Sequence, residues 1–405
     1  MGALSEFANM SESDPVVIVA AARTPIGGFQ GDFRDLPAAS LGAVAAKAAV
    51  TRSAVPPEEI EEVIFGCVLP AGQGQAPARQ AALAAGLPEA APCTTVNKMC
   101  GSGMKAIMFA HDSVAAGSAR IALAGGMESM TNAPYLLDRA RSGYRMGHGK
   151  LLDHMFLDGL EDAYGVHLPM GAFAEDCAQS FQFTRAAQDA FAVTSLERAQ
   201  RAITGGGFEK EIAPVAVKNG KDGERIVVHD EQPLKARLDK IPFLKPAFRE
   251  GGTVTAANSS SISDGAAALI LMRRSEAEKR GITPLAAIRA HATHAQAPHQ
   301  FPTAPIGALR KLMDKTGWSL AEVDLFEINE AFAVVTMAAM RELDLPHEKV
   351  NVHGGACALG HPIGASGARI VVTLLAAMRK YGLKRGAAAL CIGGGEATAI
   401  ALEAA

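Results

Sequence analysis

Cys100 stands where a cysteine sulfur can be activated for nucleophilic attack. A short strand-type run at 94–97 precedes it, a glycine-containing loop at 98–103 holds it, and a helix is predicted over 104–116. Free amides and the dipole at a helix N-terminus stabilise negative charge, so this setting favours a thiolate, with a pKa lowered from ~8.5 towards ~6.5. A buried, inert cysteine explains the local pattern equally well.

His361 is the candidate proton acceptor. It lies in the segment GHPIGASG at 360–367, where Pro362 keeps it out of helical conformation and the glycines allow a ligand to approach closely. Imidazole titrates near neutral pH and can take the proton of a thiol. The pattern predicts a base exposed in a loop; the alternative is a histidine that is hydrogen-bonded in a turn.

Two further polar groups follow predicted apolar strands. Cys391 ends a buried strand predicted over 387–392 and precedes three glycines at 393–395, whose amides can face a developing oxyanion. Asn329 ends another apolar run. Taken singly, the first is typical of a core cysteine and the second of a capping asparagine.

The elements that position these groups alternate between strand and helix. The predicted strands are 16–20, 63–69, 94–97 and 120–124, and the predicted helices are 36–50, 76–85 and 104–116. The last third repeats the plan with a strand near Val350, a glycine-rich loop at 354–367, a helix at 368–379 and the strand at 387–392. This order predicts an α/β fold made of two similar halves, with the glycine loops at a shared centre.

The chain of 405 residues exceeds the size of a single hydrophobic core and is expected to divide. A polar stretch interrupts the first half, and strand-type patterns return at 253–257 and 266–272. We predict a tail at 1–13, an N-terminal half at 14–130 and 246–280, an inserted loop domain at 131–245, and a C-terminal half at 281–405.

Composition excludes several classes of protein. The net charge of -3 and the lack of a basic cluster argue against nucleic acid as a partner, and no apolar run is long enough to predict a membrane span. Six scattered cysteines without zinc-type spacing predict free thiols, a reducing cytoplasm and no metal. We interpret His291, His294 and His299 as part of a solvated loop.

Five short blocks, taken together, resemble the signatures of thiolases. They are NKMCGSGMKA at 97–106, GGMESM at 125–130, NEAFA at 329–333, GHPIGASGAR at 360–369 and CIGGG at 391–395. The resemblance runs from Val16 to Glu403 in the family's order and spacing. It implies duplicated βαβαβαββ halves in a layered α-β-α-β-α core with an inserted loop domain, and an acyl-CoA C-acetyltransferase activity.

The resemblance also implies roles for the four polar groups. Cys100 would be the acylated nucleophile, His361 its base and Cys391 the second acid/base. Asn329, through an ordered water, and His361 would hold one thioester oxygen, and the backbone amides of Cys100 and Gly393 would hold that of the acyl-enzyme. No cofactor is implied, since CoA and acyl-CoA are substrates.

The pantetheine arm of CoA, by the same matching, is expected to run past five residues. Each of them alone is more typical of packing than of ligand contact. They are Met170, Phe248, Ser260, Ala331 and Phe332. The segment 231–239 departs from the biosynthetic pattern, with Pro233 where an arginine would align, so the residues at the adenine end stay unassigned.

Specificity and assembly rest on weaker departures and matches. Phe301 occupies an acyl-pocket position where thiolases usually have methionine, and its ring predicts either a short-chain preference for acetoacetyl-CoA or a reshaped pocket. The segment 167–171 mixes biosynthetic and degradative features, so the chain-length preference and the direction stay open. The basic stretch at 139–150 resembles a tetramerisation hairpin, and the alternative is a solvated charged loop. The resemblance favours a homotetramer, a dimer of dimers, over a dimer.

Other readings remain. A 3-ketoacyl synthase-like condensing enzyme would share the architecture, but such enzymes have a second His or Asn where this chain has Cys391. The β-subunit of a fatty-acid oxidation complex and an idle acyl-CoA binder are the remaining alternatives.

Overall fold

The structure is a computed structural model that describes residues 14–165, 167–218, 220 and 223–405. The predicted tail at 1–13 lies outside the described residues. The strands are β1 Val16–Arg23, β2 Gly27–Gly28, β3 Glu62–Gly66, β4 Cys93–Val96, β5 Ile121–Ser129, β6 Tyr135–Leu137, β7 Leu151–Asp153, β8 Val215–Lys218, β9 Glu224–Val227, β10 Ser263–Arg273, β11 Ala286–Ala295, β12 Leu325–Ile328, β13 Arg385–Ile392 and β14 Glu396–Ala404. The helices are α1 Ala38–Ser53, α2 Pro77–Ala84, α3 Ser102–Ala116, α4 Met170–Ser180, α5 Arg185–Thr204, α6 Glu231–Lys235, α7 Arg274–Lys279, α8 Ala304–Thr316, α9 Ala333–Glu342, α10 Ala356–Leu359 and α11 Ile363–Tyr381.

The second half of the main sheet repeats the strand order of the first in reverse. The first half runs β4-β3-β5-β10-β1 and the second runs β11-β14-β13-β12. They join where β1 pairs with β11 through Val17↔Ala287 and Ile18↔Ala286. In each half the inner strands are antiparallel and the outermost are parallel. The predicted duplicated α/β fold is confirmed.

Alternate side chains of the strands supply the layers. On β5, Ile121 and Leu123 face the cluster that contains α1 and α2, whereas Ala122 and Ala124 face the cluster that contains α3 and α11. The second cluster also takes residues from the strands of the other half, and α8 and α9 cover that half's outer face. Because side chains alternate across a strand, each half of the main sheet carries helices on both faces. The core is therefore layered α-β-α-β-α.

The two central helices approach each other at glycines in their first turns. A Cβ atom on Gly103 would lie 2.8 Å from the Ala368 nitrogen, and one on Gly367 would lie 2.4 Å from the Met104 nitrogen. Only residues without a side chain allow backbones to come so close. This contact draws the start of α3, next to Cys100, towards the start of α11.

The predicted strand at 253–257 is wrong. The backbone N–H groups of Thr253 and Val254 donate to the buried Glu175 carboxylate at 2.9 and 2.8 Å, and that of Thr255 donates to the Asn258 side chain at 2.7 Å. Side chains therefore satisfy the amides that a neighbouring strand would otherwise take.

Three other boundaries also differ from the prediction. The strand near Val350 is reduced to one parallel bridge with Phe326, because the chain turns at Asn351, with φ 48°. The glycines at 125 and 126 do not end the strand but continue β5. At position 126 glycine is needed for close packing, because a Cβ atom there would lie 2.1 Å from the Gly364 oxygen. The glycine-rich segment 354–367 is partly helical, with α10 and the start of α11.

The segment 131–245 contains β6 to β9 and α4 to α6, and its strands form two small two-stranded sheets outside the main one. The division of the chain into an inserted domain and two halves stays a prediction. Among the described residues, no helix combines the length and the apolar character needed to cross a membrane.

Candidate active site

Cys100 lies on a strained turn between β4 and α3. Met99 before it has φ 47°, in the left-handed region that favours glycine. Ser102 holds the turn, accepting from the Lys98 amide at 2.8 Å and donating to the Met99 carbonyl at 2.6 Å. The half-buried Cys100 is thereby set just before the first turn of α3, as predicted.

The predicted lowering of the Cys100 pKa is wrong. Burial raises the pKa of the thiol to about 11, and the nearby Glu128 carboxylate adds to the increase. Hydrogen bonds from the Gly393 amide and from the residue's own amide oppose it. Removal from water costs the anion more than these dipoles return, so the resting group is a thiol.

His361 is buried rather than exposed. It follows α10 and precedes Pro362, which caps α11, and its amide donates to the Ser261 carbonyl at 3.1 Å. Its Nδ1 lies 2.6 Å from Ser366 Oγ, whereas Nε2 has no hydrogen-bond partner within the described chain. Burial, with a contribution from the Arg369 charge, lowers the pKa of the imidazole to about 3, so the ring is neutral at physiological pH.

Cys391 lies in β13, one residue before the strand ends, and only 1% of it is exposed. Burial raises the pKa of its thiol well above the usual value, and the Cys100 sulfur raises it further. Two thiols that interact in this way cannot both ionise easily. The site therefore holds two neutral thiols and a neutral imidazole at rest.

Asn329 directly follows β12 and is almost completely buried. Its amide N–H donates to the Ala389 carbonyl at 3.0 Å, which fixes the backbone to β13. Neither Nδ2 nor Oδ1 of its side chain has a hydrogen-bond partner among the described residues. A buried carboxamide in this state is suited to hold a water or a substrate oxygen.

A cavity of about 340 Å³ brings most of the predicted residues together. It is predominantly apolar, as ligand pockets are. Asn329 does not line it. The predicted residues on its wall are Cys100, Met170, Phe248, Ser260, Phe301, Ala331, Phe332, His361, Cys391 and Gly393.

The predicted CoA-contacting residues brace one another on this wall. The amide and the hydroxyl of Ser260 donate to the Ala331 carbonyl at 3.0 and 2.9 Å. The rings of Phe248 and Phe332 meet edge to face with centroids 5.9 Å apart. Met170 faces Gly393, since a Cβ atom there would lie 3.6 Å from the methionine sulfur.

Phe301 closes one side of the cavity. Its ring is buried and contacts Phe173 and Phe332, in each case with centroids 6.4 Å apart. Two aromatic neighbours restrict the ring more than a single apolar contact would. The wall at this position is stiff.

Sequence reasoning assigned no role to two buried polar residues. Glu128 accepts hydrogen bonds from the amides of Val68, Leu69 and Gly364, which ties the segment after β3 to the start of α11. Burial raises the pKa of its carboxyl to about 7. Ser366 contacts the imidazole of His361. Both lie inside the blocks that carried the family resemblance, which was the available signal.

The interpretation of His291 and His294 as part of a solvated loop is wrong, because both lie half-buried in β11. Asp112 Oδ1 is 2.8 Å from His291 Nε2 and 3.0 Å from His111 Nδ1. Lys105 is within electrostatic range of Asp112, and Lys315 donates to the His291 carbonyl. Both ammonium groups would repel a divalent cation, which disfavours metal binding at this cluster. The absence of a metal stays a prediction.

Comparison with known proteins gives the family. Family models for the thiolase N-terminal and C-terminal domains match residues 16–275 and 282–404. Acetyl-CoA acetyltransferase 2 of Arabidopsis thaliana is 50% identical over 390 residues, which covers 96% of each protein. The chain belongs to the thiolase family.

Solved structures agree. The acetyl-CoA acetyltransferase of Bacillus anthracis superposes with a TM-score of 0.94 at 40% identity, covering 96% of this chain and 99% of that one. The Acat5 thiolase of Ascaris suum, solved with coenzyme A, gives 0.91 at 41% identity, covering 96% and 100%. The expectation of a thiolase-type acyltransferase is confirmed.

Proposed function

We propose that the chain converts 3-ketoacyl-CoA and CoA reversibly into acetyl-CoA and a shorter acyl-CoA, through an acyl group carried on Cys100. The observation that carries this proposal is the meeting of Cys100, His361, Cys391 and the Gly393 amide around one apolar cavity. An activated nucleophile, a base and oxyanion donors are what acyl transfer requires.

Thiolysis begins with the Cys100 thiol. His361 takes its proton on Nε2 while the sulfur attacks the 3-keto carbon, and the bond between carbons 2 and 3 of the substrate then breaks. The acetyl-CoA enolate that leaves takes the proton of Cys391. The pKa of Cys391, raised by burial, suits an acid that is protonated at rest.

The second half restores every proton. The Cys391 thiolate takes the proton of an incoming CoA thiol, whose sulfur attacks the acyl group on Cys100. The Cys100 thiolate leaves and recovers its proton from the His361 imidazolium. Condensation is the same sequence in reverse.

Two sets of donors serve the oxyanions. The amides of Cys100 and Gly393 already converge on the Cys100 sulfur, which supports their role at the acyl-enzyme carbonyl. Asn329, through a water, and His361 are assigned to the other carbonyl, and the unpartnered carboxamide supports that assignment. One such donor is typically worth ~2.7–4 kcal/mol of barrier.

The pantetheine arm is assigned to the wall formed by Met170, Phe248, Ser260, Ala331 and Phe332. This wall lies on the same cavity as Cys100, and the related Ascaris suum thiolase was solved with coenzyme A. Short acyl chains are the proposed substrates, because Phe301 is fixed by two aromatic neighbours. No resident cofactor is required by this scheme.

A homotetramer is the proposed assembly. The hairpin of β6 and β7 exposes 96% of Met146, 68% of Leu151 and 66% of Tyr135, apolar surface that a partner subunit would cover. The six free cysteines favour a reducing cytoplasm. Size-exclusion chromatography with light scattering should give a tetramer, and Met146→Glu should reduce it to dimers. A wild-type monomer that gains activity only with another subunit would contradict the homotetramer and support the β-subunit of a fatty-acid oxidation complex.

Steady-state thiolysis of acetoacetyl-CoA, 3-ketovaleryl-CoA and 3-ketohexanoyl-CoA tests the function. The pure enzyme should be most active on the shortest substrate, and Cys100→Ala should be inactive on all three. Inactivity of the wild type on every substrate, or a fully active variant, would refute the proposal.

A further inference from the structure

Ser366 makes a polar contact with the candidate base. It is fully buried in the first turn of α11, and its Oγ lies 2.6 Å from His361 Nδ1 and 2.9 Å from the Pro362 carbonyl. A hydroxyl has one proton to donate, so it can be the donor in only one of these contacts. Which contact it chooses decides the tautomer of the imidazole.

The two possible arrangements differ in cost. If the hydroxyl donates to Nδ1, its lone pairs face the Pro362 oxygen at 2.9 Å without a proton between them, and the Nε2–H is buried with no acceptor among the described residues. If the hydroxyl donates to Pro362, it accepts from Nδ1–H and both contacts are hydrogen bonds. Nε2 has no hydrogen-bond partner among the described residues in either arrangement, but the second avoids the contact between lone pairs, although Pro362 also receives the amides of Ala365 and Ser366.

We propose that Ser366 is a positioning residue that holds His361 as the neutral Nδ1–H tautomer, so that the lone pair of Nε2 is available to the Cys100 thiol. The inference rests on the proposed function for its catalytic meaning. In the acylation step the Cys100 proton moves to Nε2 and the sulfur bonds to the carbonyl carbon. Nδ1–H stays bonded to Ser366, which also stabilises the imidazolium so formed.

The opposite tautomer would be unproductive. An imidazole with hydrogen on Nε2 cannot accept the thiol proton at that atom, and turning the ring over would break the bond to Ser366. Burial gives His361 a low proton affinity. A fixed tautomer therefore matters, because it ensures that Nε2 is the atom that accepts the proton from Cys100.

Nitrogen NMR on the resting enzyme tests the tautomer without turnover. The protein is labelled with ¹⁵N-histidine, and the His361→Asn variant assigns the His361 signals. We expect a protonated Nδ1 and an unprotonated Nε2 at His361. In Ser366→Ala the two forms should mix, and kcat for thiolysis should fall by about 10- to 100-fold with KM little changed. Ser366→Thr, which keeps the hydroxyl, should recover both the signal and the rate; if it does not fold, the NMR result on Ser366→Ala decides.

Ser53→Ala is the matched control. Ser53 is also buried, its hydroxyl donates to a helical carbonyl, that of Val50, at 2.7 Å, and it accepts from the Val55 amide at 3.1 Å. Its loss should lower thermal stability similarly but leave the His361 signals unchanged.

A wild-type signal with hydrogen on Nε2, or an unchanged tautomer and kcat in Ser366→Ala, would overturn the inference. Failure of the proposed function would appear separately, as thiolysis that survives Cys100→Ala.

Discussion

The backbone amide of Gly393 lies close enough to the sulfur of Cys100 to stabilise its anion, so the two similar halves of the fold meet at the proposed nucleophile. Cys100 lies just before α3 in the first half, and Gly393 follows β13 in the second. The close contact of α3 and α11 at Gly103 and Gly367 makes this meeting possible. The proposed nucleophile and the proposed base, His361, therefore come from different halves.

The resting thiol leads to a prediction about pH. Because burial raises the pKa of Cys100 to about 11, the reactive thiolate is rare at neutral pH and its fraction rises as protons are removed. Alkylation of Cys100 by iodoacetamide, followed by peptide mass spectrometry, should accelerate about tenfold per pH unit from neutral pH to mildly alkaline pH. A rate that is already constant near pH 7 would mean a preformed thiolate–imidazolium pair.

Replacing Phe301 should change chain-length preference. Phe301→Met removes a stiff ring from the cavity wall, so kcat/KM for 3-ketohexanoyl-CoA relative to acetoacetyl-CoA should rise about tenfold. Phe173→Met is the control, because Phe173 contacts the same ring but does not line the cavity. Equal ratios in the wild type and in Phe301→Met would remove Phe301 from the specificity wall.

Two asparagines should separate catalysis from stability. Asn329→Ala removes a carboxamide without a partner among the described residues, so kcat should fall by about 10²–10³ while the melting temperature changes little. Asn351→Ala removes hydrogen bonds to the Ile328 amide, the Ile328 carbonyl and Glu330, each 2.8 Å long, and should cost about 3 kcal/mol of stability. An Asn329→Ala enzyme with wild-type kcat would exclude the proposed oxyanion role.

Arg23 should be essential to the fold. It is fully buried in β1 and pairs with Glu211 at 2.5 Å and Asp230 at 2.7 Å, both from the segment 131–245. Arg23→Met leaves two buried carboxylates unpaired and should cost roughly 3–5 kcal/mol of unfolding free energy. The control Arg237→Met breaks the exposed pair with Asp239 and should cost below ~1 kcal/mol. Similar melting temperatures for both variants would contradict this assignment.

Sequence reasoning succeeded where the signal was local or carried by a motif. The predicted strand before Cys100 and the helix after it match β4 and α3, and Cys391 and Asn329 lie at the strand ends where they were expected. The family blocks selected residues that the structure brings to one cavity.

The errors arose from contacts between distant parts of the chain. Glu175 satisfies the amides at 253–254 and prevents a strand there, although nothing local to that run indicates it. Asp112 reaches His291 from 179 residues away. Burial, which a local pattern does not measure, reverses the expected direction of the Cys100 pKa shift.

Trapping the acyl-enzyme tests directly whether Cys100 carries the acyl group. The protein is mixed with acetyl-CoA, quenched in acid and measured by intact-mass and peptide mass spectrometry, with Cys100→Ala and Cys391→Ala alongside. We expect one acetyl group on the Cys100 peptide of the wild type and of Cys391→Ala, and none in Cys100→Ala. Acetylation of another residue, or an active wild-type enzyme that never carries acetyl on Cys100, would contradict it.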